Sequence, residues 1–124
     1  MPMRAAARLW LALAGFAGAA GVASAATAAH GGLADPALVE RAALFLLLHA
    51  PALAAVAWLA DRRGGVWPQL AGLGFVAGQA LFCGTLLARG AGFSVPNGLA
   101  PAGGIAFIFG WLALAGSALP RGAE

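Results

Sequence analysis

Four apolar runs, separated by short polar breaks, account for nearly the whole chain. The second is the clearest: Ala42–Ala60 reads AALFLLLHAPALAAVAWLA and carries no charge. A helix of about 19 residues, rising 1.5 Å per residue, crosses a hydrocarbon layer ~30 Å thick. His49 stands mid-run, two residues before Pro51. The same pattern predicts membrane-spanning helices over residues 8–29, 38–60, 66–88 and 102–119. The expected fold is all-α: a polytopic membrane protein forming a four-transmembrane-helix bundle, with residues 1–124 as one membrane domain.

The breaks carry turn chemistry. His30-Gly31-Gly32 ends the first run. Asp35 suits the N-cap of the next helix and Pro36 its first position. Asp61-Arg62-Arg63-Gly64-Gly65 makes a tight polar turn. Residues 90–104, rich in Gly, Pro, Ser and Asn, read as a longer connection that partly dips into the membrane. Pro51 lacks an N–H, so it frees the carbonyl of Leu47 and predicts a kink beside His49.

Small residues add a packing pattern. Ala17, Gly21, Ala25 and Ala29 fall four apart on the first helix, and Gly74 and Gly78 form a G-x-x-x-G pair on the third. Such ridges let helices approach closely in lipid.

Composition sharpens the class. The chain is 62% hydrophobic and 9% charged, against about a quarter charged in a soluble domain. The net charge of +3 rests on seven arginines scattered at the ends of apolar runs. They read as helix-end anchors; a nucleic-acid surface needs clustered cations or stacking aromatics. The lone Cys83 excludes an internal disulfide. With the N-terminus cytoplasmic, Arg4, Arg8, Arg62, Arg63 and Arg121 lie inside, and Arg41 and Arg89 outside. The positive-inside rule therefore predicts both termini in the cytoplasm. Ala23-Ser24-Ala25 after a basic start also fits a signal peptide. The apolar run exceeds a usual signal core, so a retained first span is expected.

These residues resemble a known family. Ala28-Ala29-His30-Gly31 with Leu33, Leu48-His49-Ala50, Gly78 with Leu81-Phe82-Cys83-Gly84-Thr85-Leu86, and Pro101-Ala102-Gly103-Gly104 with Gly110-Trp111 look like its four motifs, in order. The family is the YgdD-like or YwdK-like small inner-membrane proteins, domain-of-unknown-function family 423. Departures are Ala26, Thr27 and Ala28 for its Gly-Phe-Gly, the extra Gly32, Cys83 for its serine and Leu87 for its tyrosine. The resemblance implies four membrane helices in a bacterial inner membrane and brings no established reaction.

The candidate polar and packing positions are His30, His49, Gln79, Thr85, Gly74, Gly78, Gly103 and Gly104. Counting 1.5 Å per residue sets His49 about 18–20 Å deep, and Gln79 about 10 Å from the outer side. Gln79 is thus the expected deep partner of His49. His30 reads as a helix-end residue, about 15 Å or more from His49 in depth, too far for both to ligate one haem. A haem or chlorophyll-type pigment at His49 alone is the remaining cofactor alternative; none is expected. No catalytic constellation is present, so an enzyme is not expected. The leading reading is a non-enzymatic membrane protein whose partners are the bilayer and other membrane proteins or a second copy. The alternative is a small-solute or proton transporter with a polar pocket around His49 and Gln79.

Overall fold

A computed structural model describes residues 1–121. Its helices are α1 (Ala5–Ala29), α2 (Pro36–Arg62), α3 (Val66–Gly90) and α4 (Leu99–Gly116), with no strand among the described residues. All four are long and apolar enough to cross a membrane. Without water in the hydrocarbon layer, backbone groups must pair within the chain, and uninterrupted helices achieve this.

The helices overrun the expected spans at most ends. α2 extends through Arg62, adding charged residues at the interface beyond the apolar run. Asp35 and Pro36 occupy the expected N-cap and first position of α2, but the Asp35 side chain makes no capping bond. Its backbone N–H instead donates to the carbonyl of Gly90 at 3.0 Å, joining the start of α2 to the end of α3. α2 runs unbroken through Pro51. The last helix starts earlier and stops earlier than the pattern implies. Pro101 falls in its first turn, where a missing N–H costs nothing. Ser117, Ala118 and Leu119 follow as turns, each N–H bonding three residues back.

The connection between α3 and α4 is shorter than expected, covering residues 91–98. Arg89 organises it. Its Nη2 donates to the carbonyl of Val95 at 3.0 Å, to Asn97 Oδ1 at 3.1 Å and, more weakly, to the carbonyl of Pro96 at 3.4 Å. The arginine that reads as an interface anchor thus folds its own loop. The α2–α3 turn depends on Gly64 and Gly65, whose φ angles of 65° and 85° disfavour a side chain.

Backbones approach closest within two hairpins, α1 with α2 and α3 with α4; α2 and α3 join them. The expected small ridge on α1 is half right. Ala17 and Gly21 are buried, but Ala25 and Ala29 are exposed, and the buried line runs through Ala14, Ala17, Gly21 and Ala28 instead. A helix advances 3.6 residues per turn, so a strict four-residue spacing drifts off the contact face. α3 and α4 meet backbone to backbone: a Cβ on Gly74 would lie 2.7 Å from the Cα of Gly110.

Within α3, Gln79–Cys83 forms a π-helical turn, closed by the Gly84 N–H on the carbonyl of Gln79. The apolar pattern of the third run does not predict this widening. The turn sits where α4 presses closest: a Cβ on Gly103 would collide with the backbone of Phe82.

Candidate functional site: the histidine at the bundle centre

The centre of the bundle is a ring cluster around His49, which is 2% exposed. α2 contributes Phe45 and His49, one turn apart on one face. α4 contributes Phe107 and Trp111, again one turn apart. α3 contributes Phe75. Phe107 stacks on the imidazole with centroids 3.9 Å apart and planes 19° from parallel. Phe75 and Trp111 stand tilted at 5.5 Å and 5.7 Å, and Phe45 lies at 5.9 Å.

Both imidazole nitrogens are engaged. Nδ1 lies 2.7 Å from the carbonyl oxygen of Phe45, which can only accept, so Nδ1 carries the proton. Trp111 Nε1–H can only donate, and it donates to Nε2 at 3.1 Å. One proton and one lone pair therefore satisfy both contacts, which defines the neutral ring with hydrogen on Nδ1. A buried polar ring in lipid needs such complete pairing.

Gln79 is not part of this arrangement. The expected His49–Gln79 hydrogen bond is absent, because His49 is already paired on both nitrogens. The amide nitrogen of Gln79, on the π turn, is buried without a partner among the described residues. The carbonyl that serves His49 is that of Phe45, not that of Leu47 freed by Pro51. Thr85 is buried and donates to the carbonyl of Leu81 one turn back. It does not extend a polar pocket. His30 is exposed as the C-cap of α1, where its backbone N–H bonds the carbonyl of Ala26.

The candidate glycines divide. Gly74 meets Gly110, Gly78 lies against the Phe107 ring, and Gly103 lies against Phe82. A Cβ on Gly104 would meet nothing within 4 Å, so Gly104 is not a close-packing point. A side chain at position 78 would push into the Phe107 ring and so disturb its stack on His49.

A second indole makes a parallel tie. Trp10 of α1 donates Nε1–H to Gln69 Oε1 of α3 at 2.8 Å, and lies over Gly72. Each hairpin thus sends one tryptophan across to a polar acceptor on the other. Neither role follows from hydropathy. A signal for the ring cluster is nonetheless present as ring pairs four apart, Phe45 with His49 and Phe107 with Trp111, on single helix faces.

Chemically, this centre offers no free nucleophile and no nitrogen lone pair facing a cavity. An iron or pigment magnesium at His49 would have to displace Trp111 from Nε2. Among the described residues, no three His, Cys, Asp or Glu side chains gather as metal ligands. The arrangement can hold two hairpins in fixed register, with polar atoms closed inside.

No curated protein and no solved structure matches the chain. A family model described as "Protein of unknown function (DUF423)" matches residues 17–104, well over half of the chain and including His49 and the π turn. The chain is a member of that family, and its four apolar helices make it an integral membrane protein.

Proposed function

We propose that this is a non-enzymatic packing or accessory protein of the bacterial inner membrane, with both termini cytoplasmic, that binds other membrane proteins or a second copy of itself. The observation that supports this reading is the closure of the His49 centre. One ring nitrogen is spent within α2 on the Phe45 carbonyl and the other on joining α2 to α4, and neither is presented to a substrate. Meanwhile α1 and α4 turn most of their apolar length outward, with 28% and 22% of their span residues buried against 44% in α2 and α3. Those outer faces are available to lipid or to another helix.

A second reading, passage of a proton or small solute, is favoured by one feature. The amide nitrogen of Gln79, buried and without a partner among the described residues, lies at a π turn, a feature that recurs at functional sites.

The test purifies the full chain in mild detergent, measures particle mass by light scattering, and assays proton flux in vesicles. The packing reading expects a particle larger than one chain, or a stoichiometric protein partner, and no flux above empty vesicles. A bare single chain at every concentration would overturn it. Flux that is lost in both His49→Leu and Gln79→Leu would establish the transport reading.

A further inference from the structure

We infer that the arginine-rich end of the bundle holds one anionic phospholipid, with its phosphate at Arg63 and Arg121 and an acyl chain between α2 and α4. Two cavities meet there. One, of about 80 Å³, lies under the α2–α3 turn and is lined by Arg63, Trp67, Ser117 and Arg121 among others. The other, of about 400 Å³, is an apolar groove lined by Ala55, Trp58, Leu59, Leu114 and Ala118, and again by Arg63 and Ser117. Arg63 and Ser117 therefore form the junction between a basic chamber and an apolar groove. That is the division of a phospholipid into headgroup and chain.

Among the described residues the charge at the junction is of one sign: Arg63 and Arg121 line the basic chamber and no described carboxylate does. Asp61 lines a different groove, toward α1, together with Arg62, and accepts the backbone N–H of Arg4. Arg63 is held in place by donating Nη1–H to the carbonyl of Ser117 at 2.7 Å. A guanidinium carries five donors, so this bond leaves the fork able to take phosphate oxygens. Ser117 Oγ is shielded from water and has no hydrogen-bond partner among the described residues. Rotation of the Ser117 hydroxyl about χ1 toward the junction would let a phosphate or glycerol oxygen supply one. Trp58 and Trp67, one on each cavity, are rings of the kind that sit at headgroup depth.

The occupant is a lipid rather than a soluble anion because the groove is apolar and opens beside the chamber at the end of membrane-crossing helices. The test is native mass spectrometry of the full chain with dioleoyl phosphatidylglycerol and dioleoyl phosphatidylcholine. The anionic lipid should be retained over the zwitterionic one by about fivefold or more per arginine engaged. Arg121→Gln should cut that preference about fivefold. Arg121 lies beyond α4 and is exposed, so this variant leaves helix packing in place. Ala118→Trp, filling the groove, should reduce retention of the anionic lipid with the charges untouched. Arg8→Gln, at the same end on α1, should change nothing. Equal retention of the two lipids would overturn the proposal, as would an Arg8→Gln effect equal to that of Arg121→Gln. Displacement of the lipid by equimolar glycerol phosphate would overturn it too, by showing an anion site that does not use the groove.

Discussion

Trp111 donates its indole N–H to Nε2 of His49, yet the two residues differ in exposure: His49 is 2% exposed and Trp111 42%. The indole thus spans from the lipid-facing surface of α4 to the centre of the bundle. It closes the polar site while its remaining surface faces hydrocarbon. Replacing Trp111 with Phe keeps most of the ring and removes the donor. The buried Nε2 is then left unpaired, which costs about 1–3 kcal/mol. His49→Leu removes the acceptor and both ring hydrogen bonds. The double variant should recover part of the loss, with a coupling of about 0.6–1.7 kcal/mol by the precedent of membrane helix pairs. Unfolding in mixed detergent micelles measures all three; strictly additive losses would show that the bond contributes nothing.

The Trp10–Gln69 tie predicts a related pattern at the other junction. Gln69→Leu leaves the indole N–H of Trp10 without its acceptor, and Trp10 is 5% exposed. A loss of about 1–3 kcal/mol is expected, again from an unpaired buried donor. Trp10→Phe combined with Gln69→Leu removes both polar groups, so the double variant should lose less than the sum of the two single variants. The same unfolding assay reads this, and a double variant worse than the sum of the two would contradict it.

The four helices are legible in the sequence because an apolar run bounded by Gly, Pro and Arg has few other solutions in lipid. The partner of His49 is not. Depth counting places Gln79 near His49 along the membrane normal, but it carries no information on which helix faces which. The deciding contact comes from Trp111, a residue whose length reaches past the helix surface and which the sequence marks only as part of the Gly110-Trp111 likeness. The π turn is hidden for a different reason. Residues 79–83 are as apolar and helix-forming as their neighbours, and the extra residue shows only when Phe82 must meet Gly103. The loop-folding role of Arg89 escapes the sequence because two of its acceptors are backbone carbonyls, which leave no mark in side-chain patterns.

The glycines make a sharp contrast. Gly74→Ala places a Cβ 2.7 Å from the Cα of Gly110, where only backbone can give way. α3 and α4 must separate, at about 1–3 kcal/mol for overpacking. Gly104→Ala meets nothing within 4 Å and sits inside α4, so it should gain up to about 1 kcal/mol from helix propensity. Melting of the two variants side by side in one detergent checks the difference; equal destabilisation would mean that the α3–α4 approach is not close.

Arg89 predicts a local effect. Arg89→Gln loses the fork that gathers Val95, Pro96 and Asn97, while the helices keep their own hydrogen bonds. Protease cleavage and amide exchange should rise within residues 91–98 and stay unchanged in α1 and α2. Exchange that rises throughout the bundle would instead make Arg89 a global support.

The π turn gives the most specific expectation. A π turn accommodates one residue more than the regular helix around it, while the flanking turns keep their faces. Deleting exposed Ala80 should therefore convert residues 79–83 to regular helix and leave Thr85, Leu86 and Gly90 on their buried face. Deleting exposed Leu73, in regular helix, should rotate everything after it by about 100° and expose that face, because each α-helical residue turns by that angle. Phe82 shifts in the first case, so some packing against Gly103 and Phe107 is lost, but the bundle should still assemble. The second should fail to assemble. Cysteine accessibility reads the outcome directly, since Cys83 is the chain's only cysteine and is buried. Its thiol should stay protected from a membrane-permeant maleimide after the Ala80 deletion and become reactive after the Leu73 deletion. Equal reactivity in the two would show that the extra residue is not the one carried by the π turn.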